Sequence, residues 1–288
     1  MPDRRAADVV RRAVDRAAEQ VAAALPLVLT GDPLPDGDTP VHAARVACRR
    51  LRSALRAYRR LVDREWSDRM RAELRWLADL LGAARDAEVL RARLIRTAGT
   101  DLSDVDIAAL DGALTLRWDT ALRELTAALR SDRCRRLLDL VASGELPLRG
   151  RAARPAAKVM PALARRPWAK LAVAARDLRA DDPDACWHRV RILTKRARYA
   201  MDAVAGEVPH ARRLAKRLAQ LQDHLGEQQD AVVAARTWEE ISDVAPVTAG
   251  RLIERERAAA RRSRARFPAV WLAAEHADVD HGGKAPTP

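Results

Sequence analysis

The sequence of 288 residues is short of cysteine, aromatic residues, lysine and long apolar runs. Its three cysteines, Cys48, Cys134 and Cys186, lie far apart with no CxxC pair, which excludes a zinc finger or a disulfide scaffold. Only ten residues are aromatic, too few and too scattered to form an evident stacking platform for single-stranded nucleic acid. No uncharged run approaches the roughly 18 to 20 apolar residues that cross a bilayer. The N-terminal Met1-Pro2-Asp3-Arg4-Arg5 leads into a charged amphipathic stretch without the apolar core of a secretory signal. The expectation is a soluble, reduced, cytoplasmic protein with no membrane partner, no metal and no cofactor.

What is present is apolar mass and positive charge. Hydrophobic residues make up 48% of the chain, ample for a packed core and against wholesale disorder. Lys and Arg number 53 against 40 Asp and Glu, a net charge of +13, which predicts polyanionic partners. Five of those bases are lysines; the rest are arginines, whose planar fork of donors matches phosphate oxygens. A bias toward Ala and Arg also follows from genomic base composition, so the Arg:Lys ratio alone does not decide between the two explanations.

Ala, Leu, Arg and Glu recur with helical periodicity, and no alternating β-branched run reads as a strand. This predicts an all-α protein. Gly31–Pro40 separates a first helix near 3–30 from a second near 41–62, and later breaks fall near 99–103, 144–155, 181–184, 206–209 and 244–247. Thr39-Pro40, Ser103 and Asp184 are candidate caps for first turns.

An internal repeat organises the chain. The segment from His42 to Arg52 returns from His188 to Arg198, both as H-x-x-R-h-x-x-[RK]-R-x-R at an offset of 146. Downstream, Asp79-Leu-Leu-Gly82-Ala-Ala-Arg-Asp86 matches Asp223-His-Leu-Gly226-Glu-Gln-Gln-Asp230 at an offset of 144. The division this predicts is a first helical unit over 1–150, a second over 151–277 and a disordered tail over 278–288, each unit long enough for a four-helix bundle.

At 100° per residue, Arg45, Arg49, Arg52, Arg56 and Arg59 gather with His42 on one arc, opposite Ala44, Ala47, Leu51, Leu55, Tyr58 and Val62. Seven arginines and no acid occur between Val41 and Val62. Like charges at i and i+4 repel, so such a face gives up local stability unless acids on other helices or a bound anion compensate. The second copy aligns His188, Arg191, Lys195 and Arg198, and Asp202 stands where the first has Arg56. Cations around the histidines should oppose their protonation and bound phosphate should favour it. Gly82 and Gly226 interrupt helical patterns, which points to close helix packing or a break. Asp86 and Asp230 are expected to pair with arginines of the neighbouring face, or to cap a helix.

The four blocks VHAARVACRRLRSALRAYRRL, WLADLLGAARDAEVL, WHRVRILTKRARYAMDA and LAQLQDHLGEQQDAVVA, in that order, resemble the CHAD domain, the conserved histidine α-helical domain. The resemblance covers essentially the whole chain. It implies two four-helix bundles related by pseudo-twofold symmetry, a basic central groove or pore that binds inorganic polyphosphate, and association with polyphosphate granules. The anion-contacting set it implies is His42, Arg45, Arg49, Arg50, Arg52, His188, Arg191, Lys195, Arg196 and Arg198; Arg56 and Arg59 join on the helical-wheel argument alone. With no ExExK signature or strand-rich segment, the chain resembles a stand-alone CHAD protein without the triphosphate-tunnel (CYTH) domain.

The expected function is therefore non-catalytic polyphosphate binding. A phosphoryl-transfer or polyphosphate-hydrolysing enzyme is the alternative, although neither basic face carries an acid, Ser or Cys at matching positions in both copies. A nucleic-acid-binding helical protein is a further alternative, with no recognised DNA-binding motif to support it.

Overall fold

The computed structural model describes residues 4–32, 34–35 and 37–279. Among them the chain forms nine α-helices and no strand: α1 (Ala6–Thr30), α2 (Pro40–Ala57), α3 (Arg64–Ala98), α4 (Asp104–Leu129), α5 (Asp132–Ala142), α6 (Ala156–Arg176), α7 (Asp184–Val204), α8 (Ala211–Glu240) and α9 (Pro246–Val279). The all-α expectation is met. Two compact units are present, one of Met1–Ala92 with Gly112–Val159, the other of Arg93–Asp111 with Met160–Pro288, so the chain enters the second unit twice.

In the first unit α1 packs on α2 and α5 packs on α1. The apolar side of α2 is buried as its periodicity dictates, with Ala44, Ala47, Leu51 and Leu55 all at or below 4% exposure. Helix α2 starts at a cap read from sequence: Thr39 Oγ1 accepts from His42 N at 3.2 Å, and Pro40 occupies the first turn. It ends at Ala57, short of the expected Val62. The reason is a competing start: Asp63 Oδ1 accepts from Trp66 N (3.0 Å) at the head of α3, while Val62 pairs with Leu148 in an isolated bridge. Arg59 is thereby left beyond the helix.

The second unit holds Trp187 edge-on against Phe267 and stacks Trp168 on Trp271, binding α7 and α6 to α9. Its most costly polar feature is buried. Arg93 from the end of α3 donates Nε to both oxygens of Glu256 (2.8 and 2.9 Å) and Nη2 to Glu256 Oε2 (2.6 Å). Nη2 also reaches Glu227 Oε1 (2.9 Å), and Thr97 Oγ1 donates to Glu256 Oε1 (2.9 Å). Burial alone would depress the Arg93 pKa, but the hydrogen bonds it donates to Glu256 and Glu227 outweigh burial and raise it.

Asp184 does not cap α7. It is the first residue of that helix, preceded by Pro183, and its carboxylate turns to the guanidinium groups of Arg236 (2.8 Å) and Arg264. Asp278, where the sequence suggests the start of a tail, is still helical and accepts from Trp168 Nε1 at 2.7 Å; residues 280–288 lie outside the described residues.

The two helical glycines lie in unbroken helices. A Cβ at Gly226 would meet nothing within 4 Å, and one at Gly82 only the Arg45 guanidinium at 3.9 Å, so close helix packing is not the reason for either. Gly99 differs: it has φ +66°, and a Cβ there would sit 3.2 Å from Asp101 Oδ1. Gly226→Ala should stabilise by about 0.5–1 kcal/mol and Gly99→Ala should destabilise by at least about 1 kcal/mol, read from denaturant midpoints. Equal effects of one sign would contradict this placement.

Candidate functional site

In the first unit, α2 and α3 together build the basic face. His42 sits in the first turn of α2, half-buried, with Nε2 3.6 Å from Asp38 Oδ2 and Nδ1 buried without a hydrogen-bond partner. Arg85 from α3 donates to Glu88 Oε2 (2.8 Å) and Thr39 Oγ1 (3.5 Å), and Thr39 Oγ1 in turn donates to Glu88 Oε2 (3.1 Å). This network ties α3 to the head of α2 beside the imidazole. One turn on, Arg45 Nη1 donates to Asp86 Oδ1 at 3.0 Å, the pairing expected of Asp86. An exposed pair of this kind contributes at most about 1 kcal/mol, so its effect is to orient the guanidinium over Gly82 rather than to hold the fold.

Arg49 is half-buried, and its Nε is a buried donor without a partner. Arg52 packs near Asp79, Arg75 and Arg71; burial lowers its pKa first, Asp79 opposes that, and the two neighbouring cations add to it. Arg56 is exposed on the same arc. Arg50 leaves the group, its Nη1 donating to Gln20 of α1 at 3.3 Å. Arg59 is taken up by Asp68 (3.2 Å), which also draws Arg64 and Arg71. The α3 bases Arg71, Arg75 and Arg85 were missed from the sequence. Their signal is the spacing Arg75, Asp79, Gly82, Asp86, which puts a mixed stripe on the α3 face that carries the second motif.

Burial is the leading cause that lowers the His42 pKa; Arg85, Arg49 and Arg45 add to it and Asp38 opposes. The imidazole is therefore neutral near pH 7. As pH falls below about 6.5 the unfolded chain takes up this proton first, so the fold loses stability toward acid.

In the second unit the predicted residues divide. Arg191, Lys195 and Arg198 follow one another along α7, the last of them 3.6 Å from Asp202, where the basic run stops as its sequence suggests. His188 Nδ1 lies 2.9 Å from Gln229 Oε1. His188 and Arg196 also line a groove of about 850 Å³ between α6 and α7, which Arg166, Lys170 and Arg189 border as well. The α6 cations of that groove carry no repeat signal, and the sequence gives no hint of them.

Among the described residues, no group of three or more His, Cys, Asp or Glu could hold a metal ion, and no helix is long and apolar enough to cross a membrane. All three cysteines are free. Burial pushes the Cys48 thiol up to about 12, and nearby Cys134 adds to the shift, so Cys48 is not an activated nucleophile.

Two all-helical units, each bearing a histidine at the head of a basic helix, define a class of helical domain. The model of the CHAD domain matches residues 5–239, and the chain belongs to that family. The structure resembles PptA from Streptomyces chartreusis, with TM-score 0.74 and 26% identity over 95% of this chain and 99% of that one. It also resembles the CHAD domain from the plant Ricinus communis, with TM-score 0.71 and 25% identity over 99% and 94%. Among curated proteins, Uncharacterized protein Rv2226 and Uncharacterized protein MT2285, from two strains of Mycobacterium tuberculosis, are each 33% identical over 238 residues, 79% of this chain. The match spans 44% of each relative's length.

Proposed function

We propose that the chain binds inorganic polyphosphate through the basic faces of α2–α3 and α7, and does not turn it over. The observation that carries this reading is the acid-free run of α2, which sets His42, Arg45, Arg49, Arg52 and Arg56 on one arc at half-buried to exposed positions. Like charges along one helix face repel, and phosphate oxygens are the acceptors that such a cationic face would take. Membership of the CHAD family supports the choice of ligand. Two copies of the motif in one chain add effective concentration for a polymeric ligand.

Two further facts weigh on the alternatives. None of the ten aromatic side chains is exposed, which disfavours base stacking and hence single-stranded nucleic acid. Hydrolysis calls for a carboxylate-held metal or an activated nucleophile, and the described residues supply no metal cluster.

The test is a salt titration of affinity for long-chain polyphosphate together with an assay of phosphate release. The expected result is a log–log slope of several units, as for polyanions that release counterions, with no phosphate released with or without magnesium. A flat salt dependence would remove the ion-pairing reading, and steady phosphate release would replace it with the enzymatic one.

A further inference from the structure

The histidines at the heads of the two basic helices are identical in sequence position, but their surroundings differ. His42 faces Asp38 from the preceding loop, Arg45 and Arg49 from its own helix, and Arg85 with its partner Glu88 from α3. Three cations thus bear on one imidazole whose acidic neighbour Asp38 is 3.6 Å away and whose Nδ1 is buried without a hydrogen-bond partner. In the second copy the position of Arg85 is held by Gln229, a neutral amide whose oxygen lies 2.9 Å from His188 Nδ1. The offset of 144 that relates the two motifs equates the positions, so the difference is one of charge, built on the same helical frame.

We propose that polyanion binding at the first unit is coupled to protonation of His42, so that the protein holds its ligand more tightly as pH falls below neutrality. This rests on reading the basic face as the polyphosphate site. In the free protein burial first, and then Arg85, Arg49 and Arg45, make a positive charge on the ring costly, and the ring stays neutral. A phosphate chain lying on the same face neutralises those cations. Protonation then adds a positive charge beside an anion that favours it. The ring's pKa is higher in the complex than in the free protein, so binding takes up a proton between the two values, and affinity rises as pH falls through that interval. The internal phosphates of a long chain are already fully ionised there, so the ligand does not contribute the same dependence.

The experiment is calorimetric titration of the full chain with long-chain polyphosphate from about pH 8 to about pH 5.5, repeated in buffers of different ionisation enthalpy. It is joined by NMR titration of the His42 ring with and without polyphosphate. Affinity is expected to rise about three- to tenfold between about pH 7.5 and 5.5, with net uptake of up to one proton. The His42 midpoint should move upward on binding. His42→Asn should flatten the pH dependence whatever its absolute affinity. Arg85→Gln, which gives the first unit the residue found at 229, should shrink the slope by bringing the free and bound midpoints together. An unmoved His42 midpoint, or a slope that survives His42→Asn, overturns the coupling while leaving the polyphosphate reading intact. Absence of binding at every pH overturns that reading itself.

Discussion

Glu256→Ala destabilises the protein by about 3–5 kcal/mol, the largest loss expected from any single substitution outside the apolar core. Glu256 is 1% exposed and Arg93 4%, so removing the carboxylate leaves a guanidinium in the second unit with the exposed Glu227 as its remaining ionic partner. The Thr97 hydroxyl loses its acceptor in the same step. Desolvation makes a buried ion pair a poor net source of stability, and makes half of one a severe liability. The double variant Arg93→Met/Glu256→Leu should therefore recover most of what the single variant loses. For a chain of this size the single substitution lowers Tm by about 10 °C. A loss under about 1 kcal/mol for Glu256→Ala would contradict the described geometry.

On the proposed polyphosphate reading, reversing one charge in each basic face, Arg49→Glu with Lys195→Glu, is expected to weaken binding by about 100-fold or more. Each charge-assisted hydrogen bond to phosphate that the reversal abolishes is worth about 1.5–3 kcal/mol. Arg261→Glu with Arg262→Glu alters net charge equally on exposed positions of α9 and should cost less than about tenfold. Fluorescence anisotropy of labelled polyphosphate at one fixed salt concentration reads both pairs. Circular dichroism of each variant confirms that the helices persist. Equal losses from the two pairs would mean that the ligand senses net charge and not the faces of α2 and α7.

The sequence carried most of the helical plan because helices signal themselves locally. Thr39-Pro40 and Ser103 mark starts that the structure keeps, and Ala44, Leu51, Val190 and Met201 are buried where a 3.6-residue period puts them. The misses came from competition between neighbouring segments. Leu61 and Val62 continue the period of α2, but Asp63 starts a new helix and the chain turns before it. Asp184 looks like a cap because its chemistry suits one, yet Arg236 and Arg264, far along the chain, claim its carboxylate. Arg50 fits the motif and still faces Gln20, since its azimuth on α2 is nearer to α1 than to α3. The α3 bases and the Arg93–Glu256 pair depend on the approach of distant segments, which no single window of sequence contains.

On the proposed reading these faces form a shaped phosphate site and not a generic cationic surface. Its most direct test is a competition titration: labelled polyphosphate bound to the purified chain, challenged with duplex DNA and with single-stranded RNA at near-physiological salt. Polyphosphate is expected to stay bound against a large molar excess of nucleotide phosphate, because aligned Arg forks fit an unadorned phosphate chain and no exposed aromatic receives a base. Displacement by DNA or RNA at parity, phosphate for phosphate, would contradict it.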